Sequence, residues 1–218
     1  MTEENIKINI KRVKGCRYMR LKIDRNGQPV LSLPYWIPKK IGLMWAQKQR
    51  LWIQKNTFIP IKFHEGQKIL FLGNEVIIQH SEKPTRTHVD EGILLVSGDK
   101  NFLPRRVADF IKREFMIYLY SKIAEKENIL KVKHGRITLR DTSTRWGSCS
   151  SNKTLSFCWR LAMAPEFVID YLIAHEVAHL KHMNHSSTFW KTVAELTPHT
   201  YQAKKWLKQN GTTLPILK

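Results

Sequence analysis

The stretch PEFVIDYLIAHEVAHLKHMNHSSTFW spans residues 165–190 and joins an apolar, helix-forming pattern to four histidines. His175 and His179 are four residues apart, so on an α-helix their side chains stand one above the other on the same face. Two imidazoles in that arrangement can bind one tetrahedral zinc ion. Glu176 lies about 100° from His175 around the helix, where a carboxylate can take a proton from a zinc-bound water. The spacing therefore predicts a metal-binding helix that also carries a catalytic base.

The apolar residues around this motif predict that the helix is mostly buried. Pro165 suits the first helical turn, where its missing N–H would be unpaired in any case. A wide apolar surface follows, and it is formed by Phe167, Val168, Tyr171, Leu172, Val177 and Leu180. Histidines and a glutamate buried in such a helix need partners, because unpaired polar groups are costly to bury.

A catalytic zinc site needs a third protein ligand, and the candidates downstream are His182, His185 and Glu195. On a continuous helix His182 would lie about 10 Å beyond His175, too far for metal–nitrogen bonds of about 2 Å to one shared ion. The chain must therefore turn back after the motif. We prefer His185, because its spacing from His179 equals that of the third histidine in the longer metzincin pattern. The glycine of that pattern is replaced here by His182, and Glu195 remains the alternative ligand.

The length, composition and charge of the chain limit the classes of protein to which it can belong. The 218 residues suffice for one large domain or two small ones, and 42% of them are hydrophobic, enough for a core. No run of 18 apolar residues and no signal peptide is recognisable, and the three cysteines lack a zinc-ribbon spacing, so we expect a cytoplasmic protein without membrane association. The net charge of +19 makes nucleic acid a possible partner, although solubility alone explains it equally well.

Patterns along the chain predict an α+β fold with two domains. A β-rich N-terminal domain with one helix is expected over residues 1–98, and a helical domain with a small sheet over residues 104–218. The predicted N-terminal elements are strands within residues 6–33, a helix over 40–56, and strands over 68–72, 75–80 and 93–97. The predicted C-terminal elements are a helix over 104–127, strands over 136–140 and 154–159, the zinc helix, and short helices over 189–196 and 201–207. Residues 144–152 between the two later strands are predicted to form a loop.

Several motifs together resemble one family. They are Arg145-Trp146-Gly147-Ser148-Cys149, Trp159-Arg160-Leu161, the HEVAH sequence at 175–179, and His185-Ser186 followed by Phe189-Trp190. With these motifs the chain resembles the YgjP-like metallopeptidase family, which is grouped with the SprT-like and WLM zinc proteins. The resemblance extends over nearly the whole chain, and its most specific motifs lie in the C-terminal half.

The resemblance implies a minimal, gluzincin-like zincin core with an active-site helix, a supporting helix and a small sheet. Carried over to this sequence, His175, His179 and His185 would bind zinc, and Glu176 would be the catalytic base. The natural substrates of the family are poorly defined. Related groups act on proteins attached to DNA, which would suit the basic charge of this chain.

Substrate contacts are expected beside the zinc helix. We predict that residues 154–159 form an edge strand that could pair with an extended peptide. Arg145, Trp146 and Phe157 are the candidate substrate-binding residues, and Arg145 could bind an oxyanion or a carboxylate. Arg145 and Trp146 could equally hold the loop in place beneath the helix.

The expected function is that of a zinc metalloendopeptidase that cleaves peptide bonds with a Glu176-activated, zinc-bound water. One alternative is a zinc amidohydrolase that acts on a substrate other than a peptide. Another is a nucleic-acid-associated protein with a vestigial zinc site.

Overall fold

Strand β3 (Pro29–Leu33) is the buried centre of a three-stranded sheet near the start of the chain. The computed structural model describes residues 7–24, 27–57, 62–142 and 145–210. The chain divides into two compact units, residues 1–61 with 215–218 and residues 62–214. In the first unit, β1 (Asn9–Arg12) runs parallel to β3 and β2 (Arg20–Ile23) runs antiparallel to it. The pair Asn26-Gly27, a sequence typical of a hairpin turn, lies partly outside the described residues.

The helix predicted over residues 40–56 is present as two helices. These are α1 (Lys39–Lys48) and α2 (Arg50–Asn56), and Gln49 interrupts them with φ −92° and ψ 17°. Gly42 lets α1 approach the sheet closely, because a Cβ at this position would lie 2.6 Å from a methyl carbon of Leu33. The core of the first unit therefore forms where α1 meets β3.

The second unit begins with a four-stranded sheet in the order β4-β5-β7-β6. Its strands are β4 (Lys68–Phe71), β5 (Asn74–Ser81), β6 (His88–Asp90) and β7 (Ile93–Ser97). The predicted strands over 68–72 and 75–80 are present as an antiparallel pair that turns at Gly73, and the positive φ of this glycine, 87°, is one that other residues rarely adopt. A Cβ on Gly73 would lie 3.0 Å from Cβ of Glu166, so the turn is close to the start of the histidine-bearing helix.

The division into compact units differs from the domain boundary predicted between residues 98 and 104. The ring of Phe71 in β4 lies 5.5 Å from that of Phe110, and the Leu72 amide donates a 2.8 Å hydrogen bond to the Ala162 carbonyl. The four-stranded sheet therefore belongs to the same unit as the C-terminal helices. These contacts join residues far apart in the chain. They cannot be predicted from the composition of residues 98–101, where the domain boundary was expected.

The third sheet has the order β8-β10-β9 and follows the long helix α3 (Leu103–Leu130). Its strands are β8 (Arg136–Arg140), β9 (Gly147–Cys149) and β10 (Thr154–Cys158). The prediction that residues 154–159 form an edge strand is wrong, because β10 pairs with β8 on one side and β9 on the other. The edge beside the histidine-bearing helix is β9, which lies within the segment predicted to be a loop.

Helix α4 (Glu166–Ala178) is the histidine-bearing helix, and it packs against α3, β9, α5 (Ser187–Leu196) and α6 (Thr200–Asn210). These neighbours bury most of α4, as its wide apolar surface predicts. The fold is α+β, as predicted from the sequence. Among the described residues, no helix has the length and apolar character needed to cross a membrane.

A buried ion pair ties α4 to the helices on either side. Lys126 of α3 lies 2.6 Å from a carboxylate oxygen of Asp170 in α4, and it donates a 2.8 Å hydrogen bond to the Leu196 carbonyl at the end of α5. The hydroxyl of Thr197 donates to the other Asp170 oxygen. One ammonium and one carboxylate therefore connect three helices around the candidate site.

We expect Lys126→Met to lower the free energy of unfolding by about 1–3 kcal/mol, because it removes a charged hydrogen bond and leaves the Asp170 carboxylate without its cation. Chemical denaturation measures the change. Lys122→Met is the matched control on the same helix, since the Lys122–Glu125 pair is more exposed and its loss should cost less than about 1 kcal/mol. Equal effects of the two substitutions would contradict a structural role for the buried pair.

Candidate metal centre

Three imidazoles converge where α4 ends and the chain turns back toward α5. His175 lies in the last turn of α4, His179 caps its C-terminus, and His185 follows the turn. One ring nitrogen from each histidine lies within 4.8 Å of the others. Nε2 of His175 and Nε2 of His185 are 3.2 Å apart, close to the ~3.3 Å that separates two nitrogen ligands of a tetrahedral zinc ion. The cluster therefore has the donor type and spacing of a metal site.

A backbone hydrogen bond sets the orientation of His179. Its Nδ1 lies 3.0 Å from the carbonyl oxygen of His182, and because a carbonyl only accepts, Nδ1 carries the proton. Nε2 is then the nitrogen with a free lone pair, and it is the one available to a metal. Histidines that bind metals commonly donate their other N–H to such a carbonyl. His182 thus contributes to the site through its main chain, a role that the sequence did not reveal.

The environment of His175 favours its neutral form. Burial, together with the positive charges that His179, His185 and Lys204 can carry, lowers the pKa of His175 to about 4. Burial also lowers the pKa of His179. Metal ions bind the neutral imidazole, so both shifts prepare these side chains for a cation at neutral pH.

Glu176 is the buried carboxylate of the site, with 4% of its surface exposed. Its Oε2 has no hydrogen-bond partner among the described residues. Burial raises the pKa of Glu176 to about 8, and the positive charge of Arg145 opposes part of this rise. A buried carboxylate without a partner is costly in a purely structural role, whereas a general base works best with a pKa near the working pH.

Gly147 in β9 lies directly against this carboxylate. A Cβ at Gly147 would be 2.4 Å from Oε1 of Glu176 and 2.7 Å from its Cγ. The edge strand can therefore approach Glu176 only because residue 147 has no side chain. The Arg-Trp-Gly sequence was a recognisable motif, but the partner of its glycine is 29 positions away and follows only from the tertiary structure.

We expect Gly147→Ala to reduce kcat of a reaction that uses Glu176 as its base by about 10–100-fold with metal still bound, because the added methyl group displaces Glu176 or β9. Steady-state kinetics and metal analysis of the same preparation measure the two quantities. Ser151→Ala is the control, since Ser151 is an exposed residue in the turn that follows β9. Unchanged kcat in Gly147→Ala would show that this close contact is unimportant.

The pH dependence of stability offers a test without substrate. Because folding raises the pKa of Glu176, the folded protein favours the neutral form of this side chain. The contribution of Glu176 to the free energy of unfolding is complete below the unfolded pKa near 4.5 and is lost as pH rises through about 8. When a chelator keeps both proteins free of metal, the free energy of unfolding of wild type should therefore fall relative to that of Glu176→Gln between pH 5 and 9. The expected fall is on the order of a few kcal/mol. Thermal melts at several pH values measure the difference. A difference that stays constant with pH would contradict the raised pKa.

Aromatic rings form the wall behind the three imidazoles. Phe189 is fully buried, and its ring centroid lies 4.5 Å from that of His179 and 4.8 Å from that of His185. Trp190 stacks on His185 at 5.7 Å, and the ammonium of Lys204 lies 3.5 Å from the Trp190 ring centroid. Ser186 caps α5 by accepting a hydrogen bond from the Phe189 amide. The start of α5 thereby positions both aromatic rings.

The other sequence candidates lie in different surroundings. Glu195 is exposed on α5 and does not belong to the cluster, which contains the three histidines alone among the described residues. Arg145 is exposed and acts electrostatically on Glu176, while the ring of Trp146 lies 5.7 Å from the guanidinium of Arg160. Phe157 is 1% exposed, so its side chain belongs to the core.

Comparison with known protein families gives a match over most of the chain. The model of the YgjP-like metallopeptidase domain matches residues 17–210, which is most of the chain. Among solved structures, the metallopeptidase zymogen of Pyrococcus abyssi abylysin is 24% identical with a TM-score of 0.38, over 44% of this chain and 94% of that one. No curated protein gives a significant match. A metallopeptidase domain implies a metal ion and a peptide or protein substrate. By its sequence from residue 17 to residue 210, the chain belongs to the YgjP-like metallopeptidase family.

Proposed function

We propose that this protein is a zinc-dependent metalloendopeptidase in which His175, His179 and His185 hold the ion and Glu176 is the general base. The observation that carries the proposal is the convergence of three imidazole nitrogens within 4.8 Å beside the buried Glu176 carboxylate, whose Oε2 has no hydrogen-bond partner in the described part of the chain. A structural zinc site would need four protein ligands and would have no use for Glu176. Three histidines and an adjacent base match a catalytic site.

The donor set supports zinc as the metal. Imidazole nitrogens suit zinc, and a catalytic zinc site takes three protein ligands and leaves one position open. When bound, zinc supplies Lewis acidity that polarises a peptide carbonyl and lowers the pKa of water. The hydrogen bond from His179 to the His182 carbonyl would keep one of the three donors oriented for it.

Glu176 would transfer the protons of the reaction. Its carboxylate would accept a proton from the water that attacks the peptide carbonyl and would donate that proton to the nitrogen of the departing amine. A pKa raised by burial is suited to both steps, because the group must gain and lose a proton near neutral pH. Arg145, whose positive charge reaches Glu176, would keep part of the carboxylate ionised.

The edge strand β9 would hold the substrate. One side of β9 pairs with β10, and no other strand of the described chain pairs with its free side. An extended peptide can add to such an edge through main-chain hydrogen bonds. Because Gly147 of this strand lies against Glu176, a peptide paired here would pass next to the general base.

The test is to incubate the zinc-loaded full-length chain with a denatured mixture of cellular proteins and to sequence the new termini. The Glu176→Gln variant, treated identically, defines the background. New internal termini that require both zinc and Glu176 would support an endopeptidase. If both proteins release the same termini, or if neither releases any while zinc is bound, the proposed peptidase activity is contradicted.

A further inference from the structure

A pocket of about 560 Å³ opens on the third sheet beside the candidate metal centre. Its polar lining comes from β8, β9, β10 and the segments that flank them. The residues that line the pocket include Arg140, Arg145, Trp146, Gly147, Ser148 and Ser156. Gly147 also lies against Glu176, so the pocket and the candidate catalytic carboxylate share this stretch of edge strand.

The register of β9 shows which side chains face the pocket. Ser148 is paired with Ser156, and both residues line the pocket. The neighbouring pair, Gly147 with Phe157, also lines the pocket, but a Cβ on Gly147 would point toward Glu176, and the Phe157 side chain is buried. Since side chains alternate along a strand, β9 presents one face to the candidate active site and the other to the pocket. A peptide paired with β9 would alternate in the same way, and the side chain opposite Ser148 would point toward the pocket.

The charges of the pocket select for an anion. Arg140 and Arg145 both line it, and in the described part of the chain no carboxylate forms an ion pair with either guanidinium. The acidic side chain next in sequence, Asp141, is already paired with the buried Arg160 at 3.2 Å. The lining residues include no aspartate or glutamate. Two guanidinium groups with hydroxyls beside them are suited to binding a carboxylate.

We propose that this pocket is a specificity subsite for a carboxylate of the peptide substrate, with Arg140 and Arg145 as its binding residues. The inference rests on the proposed peptidase function and adds a preference for acidic peptides. The carboxylate could belong to an aspartate or glutamate side chain or to the free C-terminus of a peptide. An acidic side chain that is opposite Ser148 in an extended peptide satisfies the strand register directly.

The experiment measures binding separately from cleavage. Zinc-loaded, full-length Glu176→Gln protein is used to capture short random peptides from a library with amidated C-termini, and the captured peptides are sequenced. We expect aspartate and glutamate to be enriched about tenfold or more over asparagine and glutamine at one position, as a charged hydrogen bond predicts. A parallel library with free C-termini tests the second source of the carboxylate. Absence of enrichment in both libraries would overturn the proposal.

Arginine variants in the same background assign any preference to the pocket. Arg140→Gln should reduce the acidic enrichment by about tenfold, because one of the two cations is lost. Arg136→Gln is the matched control, since Arg136 is an exposed residue of the same strand that does not line the pocket. An acidic preference that persists in Arg140→Gln and in Arg145→Gln would place the subsite elsewhere and overturn the assignment.

The two proposals can fail independently. If the wild-type protein cleaves proteins but the capture experiment shows no acidic preference, the subsite fails and the peptidase function stands. If acidic peptides are captured through Arg140 but wild type produces no new termini, the subsite stands as a binding site and the peptidase function fails.

Discussion

Replacing Glu176 by glutamine should lower kcat for peptide hydrolysis by about 10²–10⁴-fold, the range expected when a general base is removed. The amide of glutamine has nearly the same shape as the carboxylate, so the fold and the three imidazoles should remain in place. Zinc content should therefore stay the same as in wild type. Kinetics with a peptide identified from the sequenced termini, together with metal analysis, measure both quantities.

Glu166→Gln is the matched control for this prediction. Glu166 is an exposed residue in the first turn of the same helix, and its substitution removes the same charge outside the site. We expect kcat to change less than about twofold, since Glu166 lies ten residues before Glu176, about 15 Å along the helix, and interacts with Tyr118 of α3 instead. If Glu176→Gln retained wild-type kcat, or if the two variants lost activity equally, Glu176 would not be the general base.

Replacing His185 by alanine should weaken zinc binding by more than about 100-fold, because even a partner that only orients a ligand contributes about 10–100-fold. Removal of a ligand from a three-histidine site leaves two donors on α4 and opens the site to water. Thermal stability in zinc should fall toward that of the chelated wild-type protein, since bound metal stabilises the folded state by mass action. Competition with a chromophoric chelator measures the affinity.

Two variants nearby distinguish His185 from the other residues considered as the third ligand. His182→Ala removes a ring but keeps the backbone carbonyl that accepts the hydrogen bond from His179, so zinc affinity should be retained. Glu195→Ala should also retain it, because Glu195 is exposed on α5 and does not belong to the histidine cluster. Loss of zinc in Glu195→Ala but not in His185→Ala would make Glu195 the third ligand.

The histidine pair was predictable because helix geometry is local. Positions four apart face the same way on any α-helix, so the relative placement of His175 and His179 follows from their numbers alone. The third imidazole required one further step, that the helix ends before residue 182. The structure agrees with that step, since α4 ends at Ala178 and brings His185 back to His175. That these residues bind the metal remains a prediction.

The prediction that residues 154–159 form an edge strand was wrong for a physical reason. Alternation in residues 154–158 correctly indicated a strand, but alternation reports which face is buried and not which neighbours pair with it. The third strand, Gly147–Cys149, has only three residues, too few for a recognisable period. Pairing between strands is a property of distant residues, and so the position of β9 at the edge emerged only in the folded chain.

The amino-acid sequence by itself determined the α+β class, the approximate extent of the long helix α3, the family and the set of candidate ligands, because each depends on local periodicity or on a linear motif. The tertiary structure alone decided how these parts meet. It placed Gly147 against Glu176, the His182 carbonyl behind His179, and two arginines around a pocket next to the free edge of β9. Those contacts join segments that are distant in the sequence, and they are strong because the groups are buried. Burial depends on the whole fold, so a short stretch of sequence does not predict it.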